Sequence, residues 1–559
     1  MKRCPICQRT FADEALKFCR HDGAVLREEL PGASESRETL LKLPREADFI
    51  PTAVFTSGQM PSGPTDTSGS LTTPLSRKRR SRKSKVIDSL AVLPLANAST
   101  DQQMEYLSEG ITESIINSLS QLPKLRVVPR STVFRYKGSE ADPQEVGRAL
   151  GVRAVLTGRV LQVGDLLVVK TELIDVEHES QLWGAEYRRA PGDIFAVQEE
   201  ISQEISGKLR LRLSGEERKR LAKRYTENTD AYHFYLKGRY YTNRRTPEWI
   251  EKGIEQFQQA IALDPKYALA RAGLADAYAF FASSTGERPP REWYPKAKEE
   301  ALKALKLDDA LAEAHTSLGF FRLLYDWDFD EAGREFKRAI ELNPGSANAH
   351  DGYSFYFKAT GQHEKAIRAC LHVKQVEPLS LFARVSLGWA YYFARHFDLA
   401  IEQHRKALEM DPRFTFAYWN LGMALAQQNK MDEAVAAFRQ AETHSSGGLT
   451  FKAHLGYACA RAGQREEAER IITELSELSQ SDGSADGQAI HGGRYVSPYY
   501  PAIIYLGLNE MDKAFAYLES ACEERSGFMA FAKVEPMLDP LRSDPRFVEL
   551  ERRVGIKQM

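Results

Sequence analysis

One spacing constrains this chain more than any other feature. A small residue recurs at Gly253, Ala297, Ala332, Ala366, Ala400, Ala434, Ala468 and Ala514, and from Ala332 to Ala468 every step is 34 residues. In several units a large apolar residue follows four positions later (Phe257, Phe336, Phe438, Leu518). Another small one follows seven later (Ala260, Ala304, Ala339, Ala407, Ala441, Ala521). This is the pattern two close-packed helices need, because small residues let the backbones approach and large ones fill the space between units. Pro265, Pro344, Pro378 and Pro412 close the units, where proline ends a helix for want of an N–H. The upstream helix of each unit carries a Leu-Gly-like pair: Leu274-Ala275, Leu318-Gly319, Leu387-Gly388, Leu421-Gly422 and Leu455-Gly456. A self-similar period of this length predicts a one-dimensional stack of helical hairpins in place of a single globular core.

These positions resemble the tetratricopeptide repeat. The resemblance implies an all-α solenoid over residues 228–525, closed by a C-terminal capping segment, 526–559, that contains EPMLDPLRSDPRFVELERRVG. It also implies protein or peptide partners. In such stacks the first helices line a groove, and the residue after the Gly-like position points into it. Here those residues are Phe320, Phe355, Trp389, Met423 and Tyr457, with Trp419 and Tyr392 beside them. Two readings stand open. The ladder is an apolar groove for an amphipathic helix or extended peptide, or its rings pack between repeats and under the chain's own C-terminal tail. The Lys/Asn/Arg clamp of chaperone-binding arrays is not expected, because its positions hold Thr450, His454 and Asn420.

Residues 87–213 change character. Ser89 to Pro94 predicts a short buried strand, and Leu107, Ile111, Ile115, Leu119 and Leu122 mark one face of a helix. Leu125 to Pro129 predicts a second strand, and a short helix holds Val146, Ala149 and Leu150. The runs Ala154 to Val163 and Leu166 to Asp175, joined at Gly164-Asp165, predict a hairpin. Ser180 to Arg188 adds a strand and Asp193 to Leu213 a closing helix, giving a mixed α/β layer in the order β-α-β-α-β-β-β-α. The stretches AVLPLAN, YLSEGITESIINSL, LRVVPRSTVFRYKG, GRALGVRAVLTGRV and QLWGAEYRRAPGDIFAVQEEI resemble the TolB amino-terminal-like domain. That resemblance implies a small α/β fold for interaction or assembly, commonly found between a bacterial signalling module and a tetratricopeptide array, and does not imply a catalytic activity. Glu109, Glu113, Arg130 and Arg135 read as solvated surface. Gly147 to Gly151 lacks the G-x-G-x-x-G spacing of a dinucleotide loop.

Three of the six cysteines fall within the first 19 residues. Cys4-x2-Cys7 is a thiolate knuckle for tetrahedral zinc, and Cys19 follows after a hairpin-length stretch. The segment resembles short bacterial zinc ribbons that begin CPxC and end FCxxDG. This implies one structural zinc held over residues 1–26 by Cys4, Cys7, Cys19 and Asp22, with His21 as the alternative fourth ligand. Without metal so short a module lacks a core. Cys370, Cys459 and Cys522 read as small buried apolar side chains. Residues 27–86 are rich in Ser, Thr, Pro, Gly and charge, which predicts a disordered linker. It ends in a basic run, RKRRSRKSK over 77–85, that carries Ser81 and Ser84.

The chain is therefore expected to be multidomain: zinc ribbon, disordered linker, α/β domain, all-α solenoid and cap. Its 559 residues exceed what one core supports. A net charge of −1 gives no overall pull toward nucleic acid or anionic membrane. No apolar run of 18 residues and no leader pattern are seen, so a cytoplasmic location without a membrane span is expected. No Walker loop, G-x-S-x-G elbow, H-E-x-x-H, kinase set or Cys-His nucleophile pattern occurs. The expected function is a non-enzymatic scaffold or adaptor in bacterial signalling or regulation, with protein or peptide partners and no small-molecule substrate. The alternative is a nucleic-acid-binding regulator using the ribbon and the basic run, with steep salt dependence.

Overall fold

The computed structural model describes residues 87–555 apart from 100–103, 140, 165, 191–193, 210, 212, 284–287, 377–378, 446 and 481–494, together with three short strands near the N-terminus. The chain divides into two compact units, 1–82 and 83–559. In the first, β1 (Lys2–Arg3) pairs antiparallel with β2 (Thr10–Phe11) and β3 (Arg27–Glu28), so that Lys2 lies opposite both Phe11 and Glu28. The expected zinc ligands Cys4, Cys7, Cys19, His21 and Asp22, and the basic run, lie outside the described residues.

The second unit opens on a mixed sheet. Its strands are β4 (Ser89–Val92), β5 (Ala96–Asn97), β6 (Arg126–Val127), β7 (Ala154–Val163), β8 (Leu166–Asp175) and β9 (Ser180–Arg189). Their order is β6-β4-β7-β8-β9, with β5 beside β7. β4 runs parallel to β6 and β7, and β7, β8 and β9 form antiparallel hairpins. On β8 the alternate residues Leu167, Val169, Thr171, Leu173 and Asp175 are buried, the period of a strand with one covered face. The turn between β7 and β8 needs Gly164, whose φ is +56°. The sheet is flanked by α1 (Glu105–Ser120), α2 (Arg130–Val133), α3 (Pro143–Leu150), α4 (Ile194–Lys208) and α5 (Gly215–Leu221).

The expected order of elements is present with three differences. β5 adds a short strand before α1, and α2 with the 3-10 turn Phe134–Tyr136 follows the second expected strand, where no helix was expected. The closing helix expected to reach Leu213 stops at Lys208. A fresh helix starts at Ser214, whose hydroxyl accepts the Glu217 N–H while the Glu217 carboxylate accepts the Ser214 N–H.

Among the described residues eight helical hairpins follow. They are α6 (Thr229–Thr242) with α7 (Pro247–Leu263), α8 (Ala268–Ala282) with α9 (Pro290–Leu307), α10 (Ala312–Phe321) with α11 (Phe329–Leu342), and α12 (Ala347–Ala359) with α13 (His363–Val376). Then come α14 (Leu381–Phe393) with α15 (Phe397–Met410), α16 (Thr415–Gln427) with α17 (Met431–His444), α18 (Leu449–Arg461) with α19 (Arg465–Gln480), and α20 (Tyr499–Gly507) with α21 (Met511–Glu523). Two 3-10 turns, Gly527–Phe531 and Pro536–Leu541, and α22 (Pro545–Arg553) close the chain. The repeating small residues are buried throughout. Phe336 shows why they must be small: a Cβ on Gly319 would lie 2.7 Å from its ring and one on Gly352 2.2 Å. Phe438 fills the same place beside Gly422.

One unit puts a polar ring at this place. His404 stands four residues after Ala400, where three units carry Phe and the others Ala301, Cys370, Ile472 and Leu518, and it packs against Gly388. It is fully buried and neither ring nitrogen has a hydrogen-bond partner. Burial holds its imidazole down to about 3. The folded state therefore resists a proton that the unfolded chain accepts, so its contribution is intact above the ordinary histidine value and is lost as pH falls below it. His404→Phe should raise unfolding stability by about 2 kcal/mol more at pH 5 than at pH 8, read from urea midpoints at the two pH values.

Candidate partner-binding groove

Of the ladder expected on the first helices, Phe320, Phe355 and Trp389 form a run of touching rings that continues to Trp419. Phe320 packs edge-on against Phe336 (5.1 Å between centroids) and Phe355 (5.9 Å), Phe355 meets Trp389 (5.0 Å), and Trp389 meets Trp419 (6.4 Å). The run is unevenly open. Phe320, Phe355 and Trp389 are half-buried, whereas Met423 is 2% exposed and Tyr457 1%. Trp419 and Tyr392 are buried as well. Under the open stretch lies Lys358, fully buried. Its Nζ donates to Ser386 Oγ (2.7 Å) and sits over the faces of Phe355 (4.4 Å) and Trp389 (5.3 Å), so a cation lies against two ladder rings.

The C-terminal segment covers the buried stretch. Phe531 stacks parallel on Phe393 (5.4 Å) and lies 5.3 Å from Trp389 and 6.2 Å from Phe355. Phe528 stacks on Tyr499 at 4.7 Å. Tyr392 donates its hydroxyl to Glu535 Oε1 (2.5 Å), which also accepts the Met537 N–H (3.1 Å). Arg395 donates to the Val534 carbonyl (2.6 Å) and to Asp539 (2.8 Å). Burial outweighs the Tyr392 and Met537 hydrogen bonds and holds the Glu535 carboxyl above the usual carboxylate range. A cavity of only about 10 Å³ remains between segment and ladder, lined by Trp389, Trp419, His454 and Phe531 among others.

The positions a chaperone clamp would use serve packing. Thr450 bonds Tyr500 through its hydroxyl (2.7 Å), and Asn420 donates to the Phe416 carbonyl (2.8 Å). His454 is paired with the Thr450 carbonyl at 2.7 Å, and burial holds it down to about 4.

One surface reading needs correction. Glu113 is buried, not solvated. It accepts from Arg239 Nε (2.8 Å) and Nη2 (2.6 Å) on α6 and from Asn243 (2.9 Å) at the end of that helix, and ion-pairs with Arg130 at 3.1 Å. Arg130 also holds Glu109 at 2.7 Å, and Arg135 donates to the Leu379 carbonyl (2.5 Å) beyond α13. Ser120 accepts the Gly345 N–H through its carbonyl (3.2 Å) and donates to Asn343 (3.2 Å). The α/β domain is thus seated on the array from α6 to the loops that open the fourth and fifth hairpins. The signal was in the sequence: Glu113 lies among Ile111, Thr112, Ile115 and Ile116, all buried, and a carboxylate on such a face needs a cationic partner.

Comparison with known proteins agrees with the repeat period. The family described as tetratricopeptide repeat matches residues 385–448. The C-terminal region carries tetratricopeptide repeats. Residues 85–203 match the family described as HilA/YgeH-like transcriptional regulator, second domain. The protein named "Putative adenylate cyclase 3" of Rhizobium meliloti is 34% identical over 187 residues, which is 34% of this chain and 32% of that protein. Transcriptional regulator HilA of Salmonella typhimurium is 24% identical over 319 residues, 56% of this chain and 55% of that protein. The chain therefore spans between a third and a little over half of these relatives' lengths. Among solved structures, pilF of Pseudomonas aeruginosa is 17% identical with a TM-score of 0.29, covering 38% of this chain and 91% of that one. Among the described residues no helix is long and apolar enough to cross a membrane, and no group of three or more His, Cys, Asp or Glu is placed to hold a metal ion.

The Glu113 cluster carries a pH signature. Burial alone would raise its carboxyl, but the Arg239 and Arg130 charges with the Arg239 and Asn243 hydrogen bonds outweigh burial and leave it below the usual range. Its stabilisation is complete above the unfolded carboxylate value and is lost as pH falls through the folded one. Glu113→Gln, which strands Arg239, should cost about 3–5 kcal/mol at pH 7 and flatten the acid limb of stability, both read from urea titrations between pH 7 and pH 3.

Proposed function

We propose that the protein is a non-enzymatic scaffold or adaptor in bacterial regulation, binding protein partners through the first-helix face of its tetratricopeptide array. The observation that carries this reading is the continuous run Phe320–Phe355–Trp389, left half-buried on consecutive hairpins. Aromatic rings held edge to face on rigid helices offer large apolar area at low entropic cost, the property of binding hot spots. The kinship of two relatives named as a transcriptional regulator and a cyclase supports a regulatory setting, as does the TolB amino-terminal-like resemblance of the middle domain. The location proposed is cytoplasmic.

The second reading, a nucleic-acid-binding regulator, rests on the basic run 77–85 and on the HilA likeness. A donor set of three thiolates with one carboxylate or imidazole suits one structural zinc, so Cys4, Cys7 and Cys19 with Asp22 or His21 are proposed as its ligands. The full chain should then carry one zinc by elemental analysis, and Cys4→Ser should lose it.

The test of the main reading uses the tagged full chain and its Phe320→Ala/Phe355→Ala variant as baits in native bacterial lysate. Proteins retained by the parent at high salt and lost by a variant of unchanged helical signal are expected. Identical sets on both baits would overturn the groove, and nucleic acid retained only at low salt would favour the second reading.

A further inference from the structure

We infer that the groove over Phe355, Trp389 and Phe393 is a peptide site whose resident occupant is the chain's own segment 527–541, and that its outside partner is a peptide bearing an aromatic residue followed four positions later by glutamate. This deepens the proposed protein-partner function and rests on it.

Three observations lead there. First, the segment is held as a peptide ligand is held. It forms two 3-10 turns and no helix of the repeat type. Phe531 enters an aromatic slot between Phe393 and Trp389. Four residues on, the Glu535 carboxylate accepts from Tyr392, and Arg395 takes the Val534 main-chain carbonyl. An anchor ring, a side-chain carboxylate and a backbone carbonyl are the elements by which a groove reads a short peptide.

Second, the occupant leaves donors of the site without acceptors. Trp389 and Trp419 line the residual cavity, and neither indole N–H has a hydrogen-bond partner. Buried donors of this kind call for an acceptor. Lys358 lies under Phe355 and Trp389 with its Nζ on Ser386 Oγ, which in turn donates to the Asp351 carboxylate (3.0 Å).

Third, the ladder runs on past the occupant. Phe320 is half-buried and touches Phe355. An incoming peptide therefore has a foothold at Phe320 and Phe355 before it displaces Phe531. Tethered to the array, the resident segment has a high effective concentration, so an outside peptide competes only when it makes these added contacts or when the segment is weakened.

The test measures fluorescence anisotropy of a labelled synthetic peptide, GFMAFAKVEPMLDPL, with the full chain and with its Phe531→Ala variant, which leaves every groove residue in place. Binding to the variant about tenfold or more tighter than to the parent is expected. Peptides carrying Ala at the Phe531 position or Gln at the Glu535 position should bind at least about tenfold more weakly. A folded variant that takes up no peptide, or that binds a scrambled peptide equally well, overturns the proposal. Should Phe531→Ala fail to fold, hydrogen exchange of the parent chain decides. The amides of Ala532, Val534 and Leu538, hydrogen-bonded within the segment, should exchange by local opening at least about tenfold faster than those of α16. Equal protection would mean that the segment leaves only when the array unfolds, and would also overturn it. Either negative result leaves the lysate experiment free to succeed through another face of the array, so failure here is separable from failure of the scaffold reading.

Discussion

A stack of hairpins has two open ends, and everything else in this molecule answers to them. Each hairpin buries one side against the hairpin before it and the other against the one after, so the first and last have an apolar face with no partner. At the start of the array the face of α6 is closed by α1 of the α/β domain, with Tyr232, Tyr235 and Leu236 joining the same apolar cluster as Ile111 and Ile115. At the end, Met529, Ala530, Met537, Leu538 and Phe547 join the cluster of the last hairpins. The two closures differ in chemistry. The first carries a buried carboxylate clasped by two arginines, which fixes register because any shift would strand a charge. The second is largely apolar and aromatic, with Tyr392 donating to the buried Glu535 and Arg395 pairing an exposed Asp539, and its apolar contacts tolerate exchange for another apolar ligand better than the buried ion pairs at Glu113 do.

How far the sequence revealed this follows from the distance over which each interaction acts. The markers at Ala332 to Ala468 and the rings of Phe336 and Phe438 were legible because helix packing within one hairpin is written in a local period. The hairpin of β7 and β8 was legible to the residue, since Gly164 and the flanking runs signal a tight turn. The break between α4 and α5 was less visible, because Leu209, Leu211 and Leu213 continue the apolar content and only the Ser214–Glu217 box interrupts it. The apolar neighbours of Glu113 signal that it needs a cationic partner, but that partner, Arg239, lies 126 residues away and local sequence does not name it. The groove residues were named, but a ring facing solvent and a ring facing a docked segment look alike in sequence. Only the fold places Phe531 against Trp389.

The coupling between the two halves bears on what a partner would do. The α/β domain touches the array at α6 and again at Leu379, while the ladder begins at Phe320, between those points along the chain. A ligand seated at Phe320 and Phe355 therefore sits on hairpins that the α/β domain also holds. Packed helices have few soft degrees of freedom, so a shift of α10 against α12 would be felt at Gly345 and at Ser120, which are hydrogen-bonded. That arrangement lets one domain bias the other without a long linker between them.

Acidity separates the two closures. Glu113 is held below the ordinary carboxylate range, so the α/β junction loses stabilisation as pH falls through its folded value. Glu535 is held above that range: burial raises it first, Asp539 adds to the rise, and Tyr392, Met537 and Arg395 oppose it. A raised carboxyl contributes stability that is whole below the unfolded value and is lost as pH climbs through the folded one. As pH falls toward the ordinary carboxylate value the segment over the ladder should therefore tighten, and only below that value should the junction at α6 loosen. The two ends of one array respond with opposite sign because one carboxylate was given cations and the other a dry, nearly neutral pocket.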